Sequence, residues 1–550
     1  MEEKYILSLD IGTTTIRSVI YNSRTEIVGK AIDQVTLHYP ISGYVEIDPD
    51  ELWTTVINVV NTCLQNAKLS AGQIRAMGVS TQRGTFITWS KTTGKPFHRF
   101  ITWKDLRADE LVKQWNNSYS WKLLKFGAYV LYIISRSNRF RAGSVFKFSN
   151  NQTTLRLYWA LLNIPELKVA VEKNDAMFGT LDTWLLYKMT GSKIHMTDVS
   201  SASATGFYDP FTMKWSNWAV QLFGIPLAAL PTVVDTSGEH FTSTAPEIWG
   251  HAIPIRSFIA DQTASMWGSC CFDIGDVKLT MGTGTFFNIN TGSVPHASVS
   301  GLYPVVGWRL GDELIFSAEG ANNDTASIIK WAQTLGLFDN PQDTAEIAMS
   351  VPDTDDVFFI PAFSGLGPPY NDSTAASGFV GMKPSTTKAH LVRAVLESLA
   401  FRTAQLYTCV RAETSYAFNS IRLDGGVSNN DFIVQLVADL TGLRAIRPVE
   451  VEMSSLGCAH IVGLHLGIFS SKEELKTLRK VGTVFTPRPQ VKKAYEATVA
   501  RWEEAVKRMC GWYLDNKSIS YRNSVQDSSN SIEPQNSFKV TSIKKNGQSK

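Results

Sequence analysis

The chain is 550 residues long, with 44% hydrophobic and 19% charged residues, which is too long for one hydrophobic core and rich enough for two large ones. Lys plus Arg number 53 against 50 Asp plus Glu, a formal net charge of +3, which is too balanced to imply nucleic acid or an anionic membrane as the main partner. Six cysteines (Cys63, Cys270, Cys271, Cys409, Cys458 and Cys510) form no Cys-x-x-Cys pair and no metal-ligand spacing, so they read as small, reduced, buried residues of a cytoplasmic protein rather than as a disulfide framework.

The N-terminus, "MEEKYILSLD", carries acids where an export signal needs basic residues, and its apolar run passes straight into a strand. Next comes "YILSLDIGTTTIRSVIYN", two β-branched and aromatic runs joined by a polar turn, which predicts a hairpin. Its Gly/Thr turn offers successive backbone N–H groups and hydroxyls that suit phosphate oxygens, and Asp10 at the strand end suits a metal held through water. An ordinary hairpin turn has the same composition. From Ile27 onward, strand-like and helical runs alternate, as in "ELWTTVINVVNTCLQNA" followed by "IRAMGVSTQ", which is α/β patterning.

The apolar run Leu123 to Ile134 has 12 residues, short of the ~20 that span a bilayer, and is read as a buried helix. The basic stretch after it, "IISRSNRFRAGSVFKF", is read as a solvated face, with an anionic partner as the alternative. "LRLYWALLN", "TLDTWLLYKMTG" and "WAVQLFGIP" have helical spacing, the latter two with Gly or Pro stops. In "IADQTASMWG", Asp261 is either a helix N-cap or a carboxylate available for chemistry. A second strand–turn–strand, "GDVKLTMGTGTFFNINTG", repeats the logic of the first and divides the chain near Asp273 into 1–272 and 273–514. "LDGGVSNNDF" follows, with a Gly pair that permits close backbone approach and a helix expected from Ser428 or Asn429; alone it also suits a plain loop. Residues 515–550 are polar, rich in Ser and Asn, and read as a disordered tail.

No G-x-x-x-x-G-K-[ST] loop, no G-x-G-x-x-G after the first strand and no protein-kinase signature set occurs, so phosphate must be gripped in another way. Together "DIGTTTIR", "VSTQRGTFITWSKTTGKPFHRFITWKDLR", "GTLDTWLLYKMTG", "IADQTASMWG", "MGTGTF", "LDGGVSNN" and "SGFVGMKPSTTKAHLVRAVLE" resemble the FGGY family of sugar and polyol kinases, and within it the glycerol kinases. The resemblance runs from about Tyr5 to Trp512. It implies two ribonuclease H-like α/β domains of the actin and Hsp70 type flanking a cleft for ATP and Mg²⁺. It implies Thr13, Thr14 and Arg17 on ATP phosphates, Asp10 near Mg²⁺ through water, and Asp261 as general base. It also implies Gln262 on a substrate hydroxyl, Thr283, Gly426 and Asn430 on the nucleotide, and Arg83 and Trp103 in the polyol pocket. The implied reaction is ATP-dependent phosphorylation of glycerol or a related small polyol by a cytoplasmic protein, with neither nucleic acid nor a membrane span, acting alone or as a homo-oligomer. A catalytically weak, nucleotide-binding regulatory protein is the alternative.

Three positions depart from the family pattern. Gly84 replaces the glutamate of Gln-Arg-Glu, which removes a carboxylate from the polyol pocket and enlarges it; losing one charged hydrogen bond weakens binding by about one to two orders of magnitude. Asn151 falls where the pocket tyrosine is expected, after an apparent insertion. Ala326 takes the place of a nucleotide-side glycine.

Overall fold

A computed structural model describes residues 3–299 and 301–513, so the tail expected over 515–550 lies outside the described residues. The first sheet is built from β1 (Tyr5–Ile11), β2 (Thr15–Tyr21), β3 (Ile27–Gln34), β4 (Ile74–Thr81) and β5 (Ile255–Ala260), in the order β5-β4-β1-β2-β3. β1, β2 and β3 run antiparallel as a meander, while β4 lies parallel to β1 and β5 parallel to β4. The second sheet contains β6 (Val277–Met281), β7 (Thr285–Gly292), β8 (Tyr303–Leu310), β9 (Glu313–Asn322), β10 (Ser420–Asp424), β11 (Arg444–Pro448) and β12 (Val481–Phe485). Its order is β8-β9-β7-β6-β10-β11-β12.

Without its outer strands β8 and β12, the second sheet repeats the first: an antiparallel β6–β7–β9 meander, then β10 and β11 parallel to β6. This duplicated order is the ribonuclease H-like arrangement expected. It puts both Gly/Thr turns at the carboxyl ends of the central strands β1 and β6, the edge at which α/β sheets bind ligands.

Helices cover the sheets. α1 (Pro49–Ala67) starts with Asp48 accepting from the N–H groups of Asp50 and Glu51, and Pro49 fits the first turn, where its missing donor is not needed. α1 lies so close to β3 that a Cβ on Gly29 would stand 2.8 Å from the Cys63 carbonyl. α2 (Tyr119–Ser135) and α3 (Asn138–Val145) form an exposed pair beyond the first sheet. α4 (Asp261–Gly268) follows β5 directly, α5 (Asp431–Thr441) follows β10, and α6 (Met453–His465) follows β11.

α6 returns to the first half of the chain. Ala459 and Val462 pack on Ile6, Val19 and Ala76 of the first sheet, while Cys458 and Ile461 join Met266 and Trp267 of α4 in a second apolar cluster. α4 and α6 cross at glycines: a Cβ on Gly457 would lie 1.8 Å from the Ala264 carbonyl oxygen, and one on Gly268 2.1 Å from that of Met453.

One expectation about burial is overturned. The run Leu123 to Ile134 is helical, but Phe126 is 63% and Ile133 46% exposed, and Trp121 is the buried anchor of α2. Apolar residues occur on every face of this helix, and the body of the molecule covers only one of them. All six cysteines are free, as expected, with Cys409 and Cys510 only partly buried.

Candidate active site

A cavity of about 1700 Å³ runs from the cleft between the carboxyl ends of the two sheets into the groove beside α2 and α3. Of the residues expected there, it is lined by Asp10, Thr13, Thr14, Arg17, Arg83, Gly84, Trp103, Asp261, Gln262, Thr283 and Gly426. Most of them follow from where a strand stops, while Arg17 lies within β2 and Trp103 follows the short strand Phe100–Ile101. β1 ends at the Asp10–Thr14 turn, β4 at Gln82–Gly84, β5 at Asp261, β6 at Gly282–Gly284 and β10 at Asp424–Gly426.

Asp10 sits opposite Arg17 across the hairpin and beside Ser80 on β4. The Ser80 hydroxyl donates to Asp10 Oδ1 at 2.5 Å, and Arg17 Nη1 lies 3.3 Å from Oδ2. Burial is the dominant influence and pushes the Asp10 pKa up to about 6, against the pull of Arg17 and Ser80. Arg17 also pairs with Glu452 at 2.9 Å, just before α6. In the turn, Gly12 N–H donates to the Thr15 carbonyl, and the Gln82 amide donates to the Gly12 carbonyl. The Trp103 indole N–H donates to Thr13 Oγ1 at 2.9 Å, which ties the expected polyol-side tryptophan to the phosphate-side turn.

Asp261 is the first residue of α4, and Ala260 holds the N-cap position. Its Oδ1 accepts from the Gln262 N–H at 2.7 Å. Burial raises its pKa, and the cations of Arg83 and Lys278 act against that rise. Lys278 is fully buried on β6 and donates to Gln262 Oε1 at 2.7 Å and Thr280 Oγ1 at 2.5 Å. Burial lowers its pKa, while Asp424, Asp261 and Glu319 favour its charged form. Ser265 on α4 donates to Asp424 on β10 and so links the two halves.

The sequence reading missed Glu319 and Lys278. Arg83 pairs with Glu319 of β9 across the cleft, and Asn288 of β7 donates to the same carboxylate at 2.6 Å. A charged residue inside an otherwise buried strand, as in "VKLTM" and "FSAEGAN", was the available signal. Arg83 Nη1 and Gln82 Oε1 are buried without a hydrogen-bond partner among the described residues. Such groups carry a desolvation cost of about 1–3 kcal/mol each and are suited to meeting hydroxyls.

Two of the departures have structural explanations. Gly84 has φ +72°, and a Cβ there would lie 2.7 Å from the Asn151 carbonyl oxygen. The fully buried Arg156 donates to the carbonyls of Gly84 at 2.7 Å and Asn151 at 3.0 Å, and burial brings its pKa down to about 9. The absent side chain therefore does not enlarge the pocket, because Asn151 and Arg156 occupy its place. Asn151 itself lines the cleft, and its amide donates to Asn323 Oδ1 of the second half at 3.2 Å. Ala326 starts the helix Ala326–Thr334, where its N–H donates to the Gly282 carbonyl.

Asn430 is not among the residues lining the cleft. Its Oδ1 accepts from the Ile433 N–H as the N-cap of α5, and its amide donates to Thr344 Oγ1 at 2.9 Å. α5 accordingly begins at Asp431, after the short turn Gly426–Asn429, rather than at Ser428 or Asn429.

Comparison with known proteins sets this geometry in a family. Residues 5–268 match the N-terminal domain and residues 277–465 the C-terminal domain of the FGGY family of carbohydrate kinases. The chain is 49% identical over 516 residues to glycerol kinase 5 of Danio rerio, covering 93% of this chain and 97% of that protein. It is 46% identical over 509 residues to glycerol kinase 5 of Homo sapiens, covering 92% and 96%. The crystal structure of Plasmodium falciparum glycerol kinase with ADP superposes with a TM-score of 0.80 at 28% identity, covering 92% of this chain and 98% of that one. A duplicated two-domain α/β fold, both domain models matched in order, and relatives matched over nearly their whole length together establish that the chain belongs to the FGGY family of carbohydrate kinases and is a phosphotransferase with an alcohol acceptor.

Proposed function

We propose that the protein transfers the γ-phosphoryl group of ATP to a hydroxyl of glycerol or a related small polyol, yielding with glycerol its 3-phosphate and ADP. The observation that carries this reading is the position of Asp261: a half-buried carboxylate at a strand end, flanked by the cations of Arg83 and Lys278, in the same cleft as both Gly/Thr turns. The names of the relatives support glycerol as the substrate, and the ADP of the Plasmodium neighbour supports the nucleotide.

Asp261 takes the proton of the attacking hydroxyl as that oxygen bonds to the γ-phosphorus; the bond to the β-phosphate oxygen breaks, ADP departs, and the proton passes to solvent. Burial makes this carboxylate more basic, and the cations of Arg83 and Lys278 oppose that rise. Arg83 Nη1 and Gln262 hold polyol hydroxyls, Glu319 accepts from them across the cleft, and Trp103 packs on the carbon chain. Thr13, Thr14, Arg17, Thr283 and Gly426 position the phosphates and nucleotide with hydroxyls, N–H groups and one guanidinium. Asn430 serves the adenosine side only through the start of α5, since its own side chain is engaged.

Asp10, Asp261 and Asp424 line one cleft, and among the described residues no group of three or more His, Cys, Asp or Glu is close enough to hold a bare ion. That donor set fits hydrated Mg²⁺, which keeps several waters and relies on one or two carboxylates plus phosphate oxygens. Asp10 would hold it through water, and its chemistry there is to neutralise the phosphate charge. We divide the chain into 1–272, carrying the base and polyol residues, and 273–514, carrying Thr283, Gly426 and Glu319. The protein is assigned to the cytoplasm, and homo-oligomer formation is readable by sedimentation velocity.

The test is ADP release with Mg·ATP, glycerol and a panel of small polyols, with Asp261→Asn run beside the wild type. A fall in turnover of roughly 10²–10⁴-fold with ATP binding retained is expected. Nucleotide binding with no turnover of any polyol would replace the kinase reading by the regulatory one.

A further inference from the structure

We propose that the outward face of α2 docks on an anionic lipid surface and lies on it without crossing it. Tyr119, Phe126, Tyr129, Val130 and Ile133 recur at helical spacing on the side turned away from the cleft. Phe126, Tyr129, Val130 and Ile133 are 63, 51, 38 and 46% exposed. Other residues of the same helix, among them Leu124, Ala128 and Leu131, line the groove toward the body, so the exposed stripe is a second face and not part of the cleft. An apolar stripe of this kind marks an interaction surface when its residues are contiguous.

Charge selects the occupant. Between Glu110 and Glu166 the chain contains no Asp or Glu. Within that acid-free stretch Lys122 and Lys125 lie on α2, Arg136 caps its end, and Arg139, Arg141 and Lys147 lie on or beside α3. One of these, Arg139, is paired with Asp209 at 2.7 Å. The stripe is thus bounded by cations, with Lys122 near one end and the exposed Arg136 at the other, and Tyr119, Tyr129 and Tyr132 supply the amphipathic rings favoured at a membrane interface. Apolar burial combined with local basic charge is the pairing of signals that holds a protein on a lipid surface, where either alone is weak. The whole-chain charge of +3 hides this, because the acids are elsewhere.

The geometry also sets the depth. At 17 residues α2 is about 25 Å long. Among the described residues, no helix is long and apolar enough to cross a membrane.

The experiment uses the full chain with sedimented vesicles of phosphatidylcholine alone or mixed with phosphatidylserine. The wild type is expected to pellet with the mixed vesicles, much less with phosphatidylcholine, and less as salt rises. Phe126→Glu combined with Ile133→Glu, both at exposed positions outside the cleft, is expected to abolish pelleting while leaving the melting temperature and phosphotransfer in solution unchanged. Lys122→Gln combined with Arg136→Gln should lower partitioning by roughly an order of magnitude, since each basic residue at such a surface contributes about fivefold. Absence of pelleting with either vesicle would overturn the proposal, as would pelleting equal in wild type and variants. A lipid-free dimer that Phe126→Glu and Ile133→Glu dissociate, with no vesicle binding, would give the stripe to a second copy instead. None of these outcomes depends on the phosphoryl acceptor, so failure here and failure of the kinase reading are distinguishable.

Discussion

Gly84 shows how a single backbone position can outweigh a side-chain rule. From sequence, the missing glutamate reads as an open space that a substitution would refill. With φ +72° and the Asn151 carbonyl 2.7 Å from where a Cβ would stand, restoring it strains the turn instead. Gly84→Glu is therefore expected to lower stability, with about 1–3 kcal/mol from the backbone conformation alone, and to raise rather than lower KM for glycerol. Thermal melts and initial rates check both. Asp10 carries the opposite trade between activity and stability. Its folded pKa, about 6, lies above the ordinary value of 3.8, so the folded state binds a proton that the unfolded chain releases, and the ionised form costs stability at neutral pH. That cost vanishes as pH falls below the unfolded pKa. Asp10→Asn should accordingly melt higher than wild type at pH 7, lose that advantage near pH 4, and be inactive at both. In the wild type, kcat/KM is expected to fall as pH drops through about 6, as Asp10 takes up a proton. A flat profile between pH 5 and pH 7 would contradict the role given to Asp10.

At the level of elements, the two Gly/Thr hairpins were legible because strand–turn–strand chemistry is local: β1–β2 and β6–β7 form where alternation and Gly/Thr turns place them. Asp261 was legible as the end of a strand running into a helix. Glu319 and Lys278 were not, because their partners Arg83, in the turn after β4, and Gln262, on α4, lie 236 and 16 residues away and only the fold brings them together. The start of α5 lies two or three residues later than the sequence suggested, and Asn430, given to the nucleotide by resemblance, has its side chain engaged as the N-cap of that helix. The Leu123–Ile134 run was misassigned because periodicity shows that a helix is apolar and does not show what covers it. The α4–α6 crossing rests on Gly457 and Gly268. Gly457→Ala must move two helix backbones apart, costing about 1–3 kcal/mol or more, and the expected readout is a lower melting temperature together with reduced kcat, because α4 carries Asp261.

For the whole molecule, polar and aromatic contacts join the two halves across the cleft. Arg83 meets Glu319, Asn151 meets Asn323, and Trp103 faces Phe286 with ring centres 6.1 Å apart. The polar contacts suit a cleft that opens and closes, since water can replace each of them. Glu319→Ala leaves the Arg83 guanidinium buried and unpaired. Loss of one partner of a buried pair costs about 3–5 kcal/mol, expected here as a raised polyol KM with little change in nucleotide affinity. Titration of the variant with each ligand separates the two effects.

α6 bears on how the chain is made as well as on how it stands. The first sheet is complete in sequence at Ala260, yet the face carrying Ile6, Val19 and Ala76 has no cover until Ala459 and Val462 arrive. During synthesis the early strands must wait through almost two hundred further residues with that apolar face open. A chain stopped before residue 453 should therefore expose a sticky sheet and be held by chaperones or lost to aggregation, whereas stopping after residue 465 lets the first half close.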